Sequence, residues 1–364
     1  MLCLGLLMKN RRATEVGWRI VMIKFRTGLW RNQKVASAVT LCLWGAAIAA
    51  MSFQTQEQSP LRKVADIPLP GKAVRFDYQS LDPAHKCLYI AHMNADQLVV
   101  FDTKKRAIVA NLDGFPSVHG VLAVPELGKV YASATGEHRV AVVDMQSLKT
   151  IAKAGPVNYP DGIAYAPHAK RVFVSDEHGG ADAVIDATSN VLLTLIPLGG
   201  GAGNTLYDSG SGQILVAVHE KNELVTIDPE AAKITGRYPV PGIESPHGIA
   251  LDLKARLAFV AGEENHKIAL VDLTNMQVLN TYSVGKDPDV LAFDSGLKRL
   301  YVAAESGDVT VFRENGKTLI KEGSLFMPHA HTVSVDSETH LVYFPLQSVD
   351  GRPVLRIMEP SSAN

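Results

Sequence analysis

Residues 86–112 read KCLYIAHMNADQLVVFDTKKRAIVANL. Three short apolar runs, at 88–91, 98–101 and 107–112, are parted by polar turns at 93–96 and 103–106. Runs of four to six residues rich in Val, Ile, Tyr and Phe have the length and composition of strands, and a helical 3.6-residue period is nearly absent. The pattern recurs five times in full: 128–154 (GKVYASATGEHRVAVVDMQSLKTIAKA), 170–196 (KRVFVSDEHGGADAVIDATSNVLLTLI), 212–238 (GQILVAVHEKNELVTIDPEAAKITGRY), 255–282 and 298–323. A seventh copy, 340–360 (HLVYFPLQSVDGRPVLRIMEP), is truncated.

A polar residue before each inner strand sets the period: Arg75, His119, Asp161, Asn204, His247, Asp289 and His331. Successive anchors differ in number by 44, 42, 43, 43, 42 and 42. Four short strands per 40–45 residues is the period of a propeller blade. The expected fold is therefore all-β, a single seven-bladed β-propeller over 61–360, although a chain of 364 residues would ordinarily suggest two domains. The last copy lacks an outer strand, and 62–69 resembles the outer strand that precedes the other anchors. Pairing it with 353–358 would close the ring and remove an open edge.

These repeats resemble the YncE-like, YVTN-repeat family of seven-bladed propellers over residues 60–360. LYIAHMNADQLVVFD, VFVSDEHGGADAVID, LYVAAESGDVTVF and the Pro-Asp-Gly and Pro-His-Gly lead-ins carry the likeness. Arg313, where other copies have Asp, and the shortened last copy depart from it. The resemblance implies the fold and no particular reaction. With no Trp-Asp dipeptide, a WD-repeat scaffold is disfavoured.

Hydrophobic residues at 46% and charged residues at 20% exclude a disordered, collagenous or multispan membrane chain. A net charge of −1 gives no reason to expect nucleic acid. Residues 1–51 hold eight Lys/Arg and one acid, Glu15, which leaves 52–364 with 28 basic and 36 acidic side chains. Lys24, Arg26, Arg31 and Lys34 precede an uncharged run, 35–51, ending in Ala46-Ala47-Ile48-Ala49-Ala50. That is the order of a secretory signal, with cleavage expected after Ala49 or Ala50, a short linker over 52–60, and a periplasmic or secreted product. An uncleaved anchor is the alternative, and Met22 is a plausible start. Of Cys3, Cys42 and Cys87, only Cys87 would survive cleavage, so no intramolecular disulfide is expected.

The anchors should form one ring at the central channel. Counting sixteen positions onward gives a second ring on the same face, with Glu177, Glu220, Glu263 and Glu305 as its acidic members. A water-filled channel and turn chemistry account for polar residues there without any ligand. The angular spacing suggests more. At one-seventh of a turn per blade, His119, His247 and His331 stand about 154°, 103° and 103° apart. Three converging imidazoles would hold a divalent metal (Zn, Mn, Mg or Ca), with Asp161 and Asp289 between them. Arg75 would take a substrate carboxylate. No catalytic residue is fixed, because no nucleophile–base pair or phosphate-loop motif is present. The reading is a monomer, with no membrane span once processed, that binds a small molecule or protein partner at its central face. A metal-assisted, lactonase-like hydrolase or lyase on the same ring is the alternative.

Overall fold

The structure is a computed structural model and describes residues 59–361. The leader expected over 1–51 and most of the linker lie outside the described residues. Seven antiparallel four-stranded sheets follow one another along the chain. Blade one shows the plan: inner strand Gln79–Asp82, then Cys87–His92, Gln97–Asp102 and outer strand Ala107–Asp113. Among the described residues there is no α-helix, and no helix long and apolar enough to cross a membrane.

The middle strands bury apolar residues between neighbouring blades. Tyr131, Val140 and Val142 of blade two pack with Val172, Val174, Ala183 and Ile185 of blade three. The two middle strands of a blade are covered on both faces, which is why they read as continuous apolar runs. The third strand ends in an Asp whose carboxylate caps the next turn. Asp102, Asp144, Asp186, Asp228 and Asp272 accept from the backbone N–H of Lys105, Ser147, Ser189, Ala231 and Thr274 at 2.7–3.1 Å. In blade six Arg313 stands there and pairs with Glu322.

The ring closes as the repeat count implied. Leu61–Pro68 is the outer strand of blade seven and pairs antiparallel with Arg352–Pro360, from Leu61 opposite Pro360 to Pro68 opposite Val354. Arg356 donates from Nε and Nη2 to the two oxygens of Asp66, both at 2.8 Å, across this seam.

Candidate functional site

In five blades the inner strand carries a bulge where it begins. Pro160 pairs with Asp176 and Ile163 with Val174, so Asp161 and Gly162 together oppose Ser175. The same two-against-one break holds His119 and Gly120, Gly203 and Asn204, His247 and Gly248, and Asp289 and Val290. A bulge re-aims the side chain it carries. The first bulge residue lies five positions before the end of its inner strand. Applied to blades one and seven, whose inner strands end at Asp82 and Asp336, that offset gives Asp77 and His331.

The ring defined by strand register is therefore Asp77, His119, Asp161, Gly203, His247, Asp289 and His331. Their numbers rise in steps of 42, with one step of 44 between Gly203 and His247. Asp and His alternate around it, with a glycine in blade four. Arg75 and Asn204, expected as ring members, sit two residues before and one residue after the true positions. The structure shows the consequence. A cup of about 160 Å³ is lined by Arg75, Asp77, Tyr78, His119, Tyr159, Asp161, Glu177, His247, Glu263, Asp289 and Glu305. Asn204 instead lines a chamber at the opposite end of the channel, among Val121, Ile163, Ile249 and Leu291.

The glycine of blade four lets a second-ring residue move inward. A Cβ on Gly203 would stand 2.7 Å from His219 Nε2 and 2.8 Å from His247 Cα. Without it, His219 Nε2 comes to 3.0 Å from His247 Nδ1. His219 lies sixteen positions beyond Gly203, as Glu177, Glu263 and Glu305 do beyond their own anchors. The second ring is thus Glu177, His219, Glu263 and Glu305. Glu220 points away, into a groove between blades three and four walled by Glu177, His178, His219 and bare glycine backbone.

Arg75 is committed within the protein. Its Nη1 lies 2.6 Å from Glu305 Oε1 and its Nη2 3.8 Å from Asp289 Oδ2. It is therefore not the free carboxylate receptor the sequence suggested. The three histidines also separate, and among the described residues no cluster of ligand atoms within 4.8 Å contains all three. His119 is held by the Ser117 carbonyl at Nδ1 (2.7 Å) and by Tyr159 Oη at Nε2 (3.0 Å). His247 Nε2 lies 3.2 Å from Tyr78 Oη and 3.4 Å from Asp289 Oδ1. His331 does not line the cup; its nearest second-ring partner is Glu305, at 4.0 Å. His119 and His247 are thus fixed by their own neighbours rather than by a centre shared with His331.

Among the described residues two clusters offer three ligand atoms within 4.8 Å: His219, His247 and Glu263; and Asp77, Asp289 and His331. Burial pushes Asp161 up to about 7, with Glu177 and Asp289 adding to the shift and His247 opposing it. Burial also raises Asp77, reinforced by Asp161 and Asp289. For His247 burial is outweighed by the Asp289 hydrogen bond and the charges of Glu263, Asp289 and Asp161, so its affinity for a proton is raised. Burial and the neighbouring His247 bring His219 down to about 4, so it is neutral near pH 7. Opposed environments of this kind concentrate at functional sites.

The site belongs to a seven-bladed β-propeller with an Asp/His ring at one end of its channel. No protein-family model matches the sequence, and no curated protein matches it in sequence. Among solved structures, virginiamycin B lyase from Staphylococcus aureus superposes with a TM-score of 0.68 at 12% identity, over 80% of this chain and 98% of that one. Hydrazine synthase from Kuenenia stuttgartiensis does so with a TM-score of 0.67 at 12% identity, over 81% and 99%. At that identity the likeness concerns the fold.

Proposed function

We propose that this is an exported propeller of the YncE-like, YVTN-repeat kind that binds a small polar ligand on its central face. The observation that carries this reading is a pair of buried polar atoms without partners on residues that line the cup, Asp161 Oδ1 and Arg75 Nε. Buried polar groups are costly unless paired, so two at one place favour a ligand that completes them. The cup is small, and it shares Glu177 with the groove between blades three and four, of about 560 Å³. The ligand's head group fits the cup and its remainder the groove, beside the Tyr159–His178 stack with ring centroids 3.9 Å apart.

A lyase or hydrolase reading is favoured by one further observation. Asp161, pushed up to about 7, faces the same cup as Tyr78 and His247, whose Nδ1 is hydrogen-bonded to His219. A carboxyl poised near neutrality is suited to move a proton in either direction. The structural neighbour from S. aureus is a lyase, which fits this reading by analogy of fold alone.

A panel of small lactones, hydroxy acids and amines, screened by thermal shift, tests the central-face reading. A ligand at 100 times its Kd stabilises by about 2.7 kcal/mol, a rise of several degrees. The rise should disappear in Glu177→Gln, at the junction of cup and groove. A panel that shifts wild type and Glu177→Gln alike would place binding elsewhere and defeat the proposal.

A further inference from the structure

We propose that Asp77, Asp289 and His331 form a seat for one divalent transition-metal ion; the proposal deepens the central-face reading and rests on it. The three residues come from consecutive blades, one, six and seven, so the ring places His331 between two aspartates. All three side chains are buried, at 3%, 5% and 4% exposure. Their ligand atoms lie within 4.8 Å of one another. An ion bonded at about 2.1 Å to each brings ligand atoms about 3–4 Å apart, so a contraction of about 1 Å closes the set.

Three observations favour this cluster. First, His331 Nε2 is buried and has no hydrogen-bond partner. Second, six carboxyl groups line the cup against Arg75 and the imidazoles of His119 and His247, an acidic excess that a dication offsets. Third, Asp289 stands between two basic groups, His247 Nε2 at 3.4 Å from Oδ1 and Arg75 at 3.8 Å from Oδ2, which orient the carboxylate. The competing cluster shares the acidic surroundings but lacks the first and third features. His219 and His247 are already hydrogen-bonded to each other at 3.0 Å, so an ion there would have to break that bond, and Glu263 is only partly buried. Two carboxylates and one imidazole suit Mn²⁺ or Zn²⁺ better than Ca²⁺, which takes oxygen ligands alone.

The test is titration of chelator-treated full-length protein with Mn²⁺, Zn²⁺ and Ca²⁺ by calorimetry, with metal content measured after dialysis. One equivalent of Mn²⁺ or Zn²⁺ should bind. Asp77→Asn and His331→Ala should each weaken it at least tenfold, while circular dichroism and the thermal midpoint verify folding. His138→Ala, whose ring bonds the Asn158 carbonyl outside the cup, should bind like wild type. Loss of the ion in His219→Ala with retention in Asp77→Asn would assign it to the other cluster and overturn the proposal. Absence of stoichiometric metal would also overturn it. If the small-molecule panel still shifts the midpoint, the central-face reading survives that loss; if it does not, both fall.

Discussion

Asp182 shows how much one buried carboxyl can carry. It lies on the third strand of blade three with no exposed surface, accepts from Thr205 Oγ1 at 3.0 Å, and leaves Oδ1 without a partner. Burial pushes its pKa up to about 7 from 3.8, against the hydrogen bonds that favour the charged form. A raised folded-state pKa means the protonated acid is favoured on folding. Its contribution is fully present below about pH 3.8 and is lost as pH rises through 7. Moving from 3.8 to about 7 corresponds to roughly 4 kcal/mol at most. Asp182→Asn keeps an oxygen acceptor for Thr205 and cannot ionise. Calorimetric melting at pH 4, 6 and 8 should show the variant gaining on wild type as pH rises, by several degrees at pH 8. A difference independent of pH would show that ionisation of Asp182 is not what limits alkaline stability.

At the scale of the strand, the bulge aims the ring residues, and its second residue decides how closely blades approach. A Cβ on Gly120 would stand 1.9 Å from the Asp161 carbonyl oxygen, and one on Gly248 the same distance from that of Asp289. Both contacts are to the backbone of the next blade's bulge, which cannot rotate away. Gly120→Ala or Gly248→Ala should therefore cost about 1–3 kcal/mol, the range for overpacking, or more where backbone must shift. Chemical denaturation should give a lower midpoint for each, whereas alanine at Gly212, which meets nothing within 4 Å but has φ +74°, should cost only backbone strain. Equal losses at all three sites would contradict close approach as the cause. This bulge also explains what the sequence withheld. Seven blades, the closing strand and five of seven ring positions follow from the apolar runs and their regular recurrence. Asp77 and Gly203 do not, because Arg75 and Asn204 are the more conspicuous polar residues nearby. Counting back five positions from the Asp that ends the inner strand, Asp82 or Asp208, would have found both. The inward turn of His219 depends on a missing side chain, and a period drawn through polar residues passes over a glycine.

At the scale of the molecule, the cup exists only while the ring is closed. Asp77 enters from blade one, Asp289 from blade six and His331 from blade seven, so their convergence spans the seam that Leu61–Pro68 completes. That strand contributes seven paired residues, the buried Leu61 side chain and the bidentate Asp66–Arg356 pair. At about 1 kcal/mol per net hydrogen bond, several kcal/mol of closure depend on it. Deleting residues 52–70 should lower the thermal midpoint by about 10 °C or more, and it bares the Arg352–Pro360 edge, which carries Val354, Leu355 and Ile357. An unpaired apolar edge is a template for association, so the truncated chain should also aggregate in light scattering. The separated blades should lose the metal affinity of the Asp77–Asp289–His331 cluster even where each sheet survives, which links closure to function. A truncated chain that stays monomeric with an unchanged midpoint would mean that the seam does not hold the ring, and that the site is assembled by the inner strands alone.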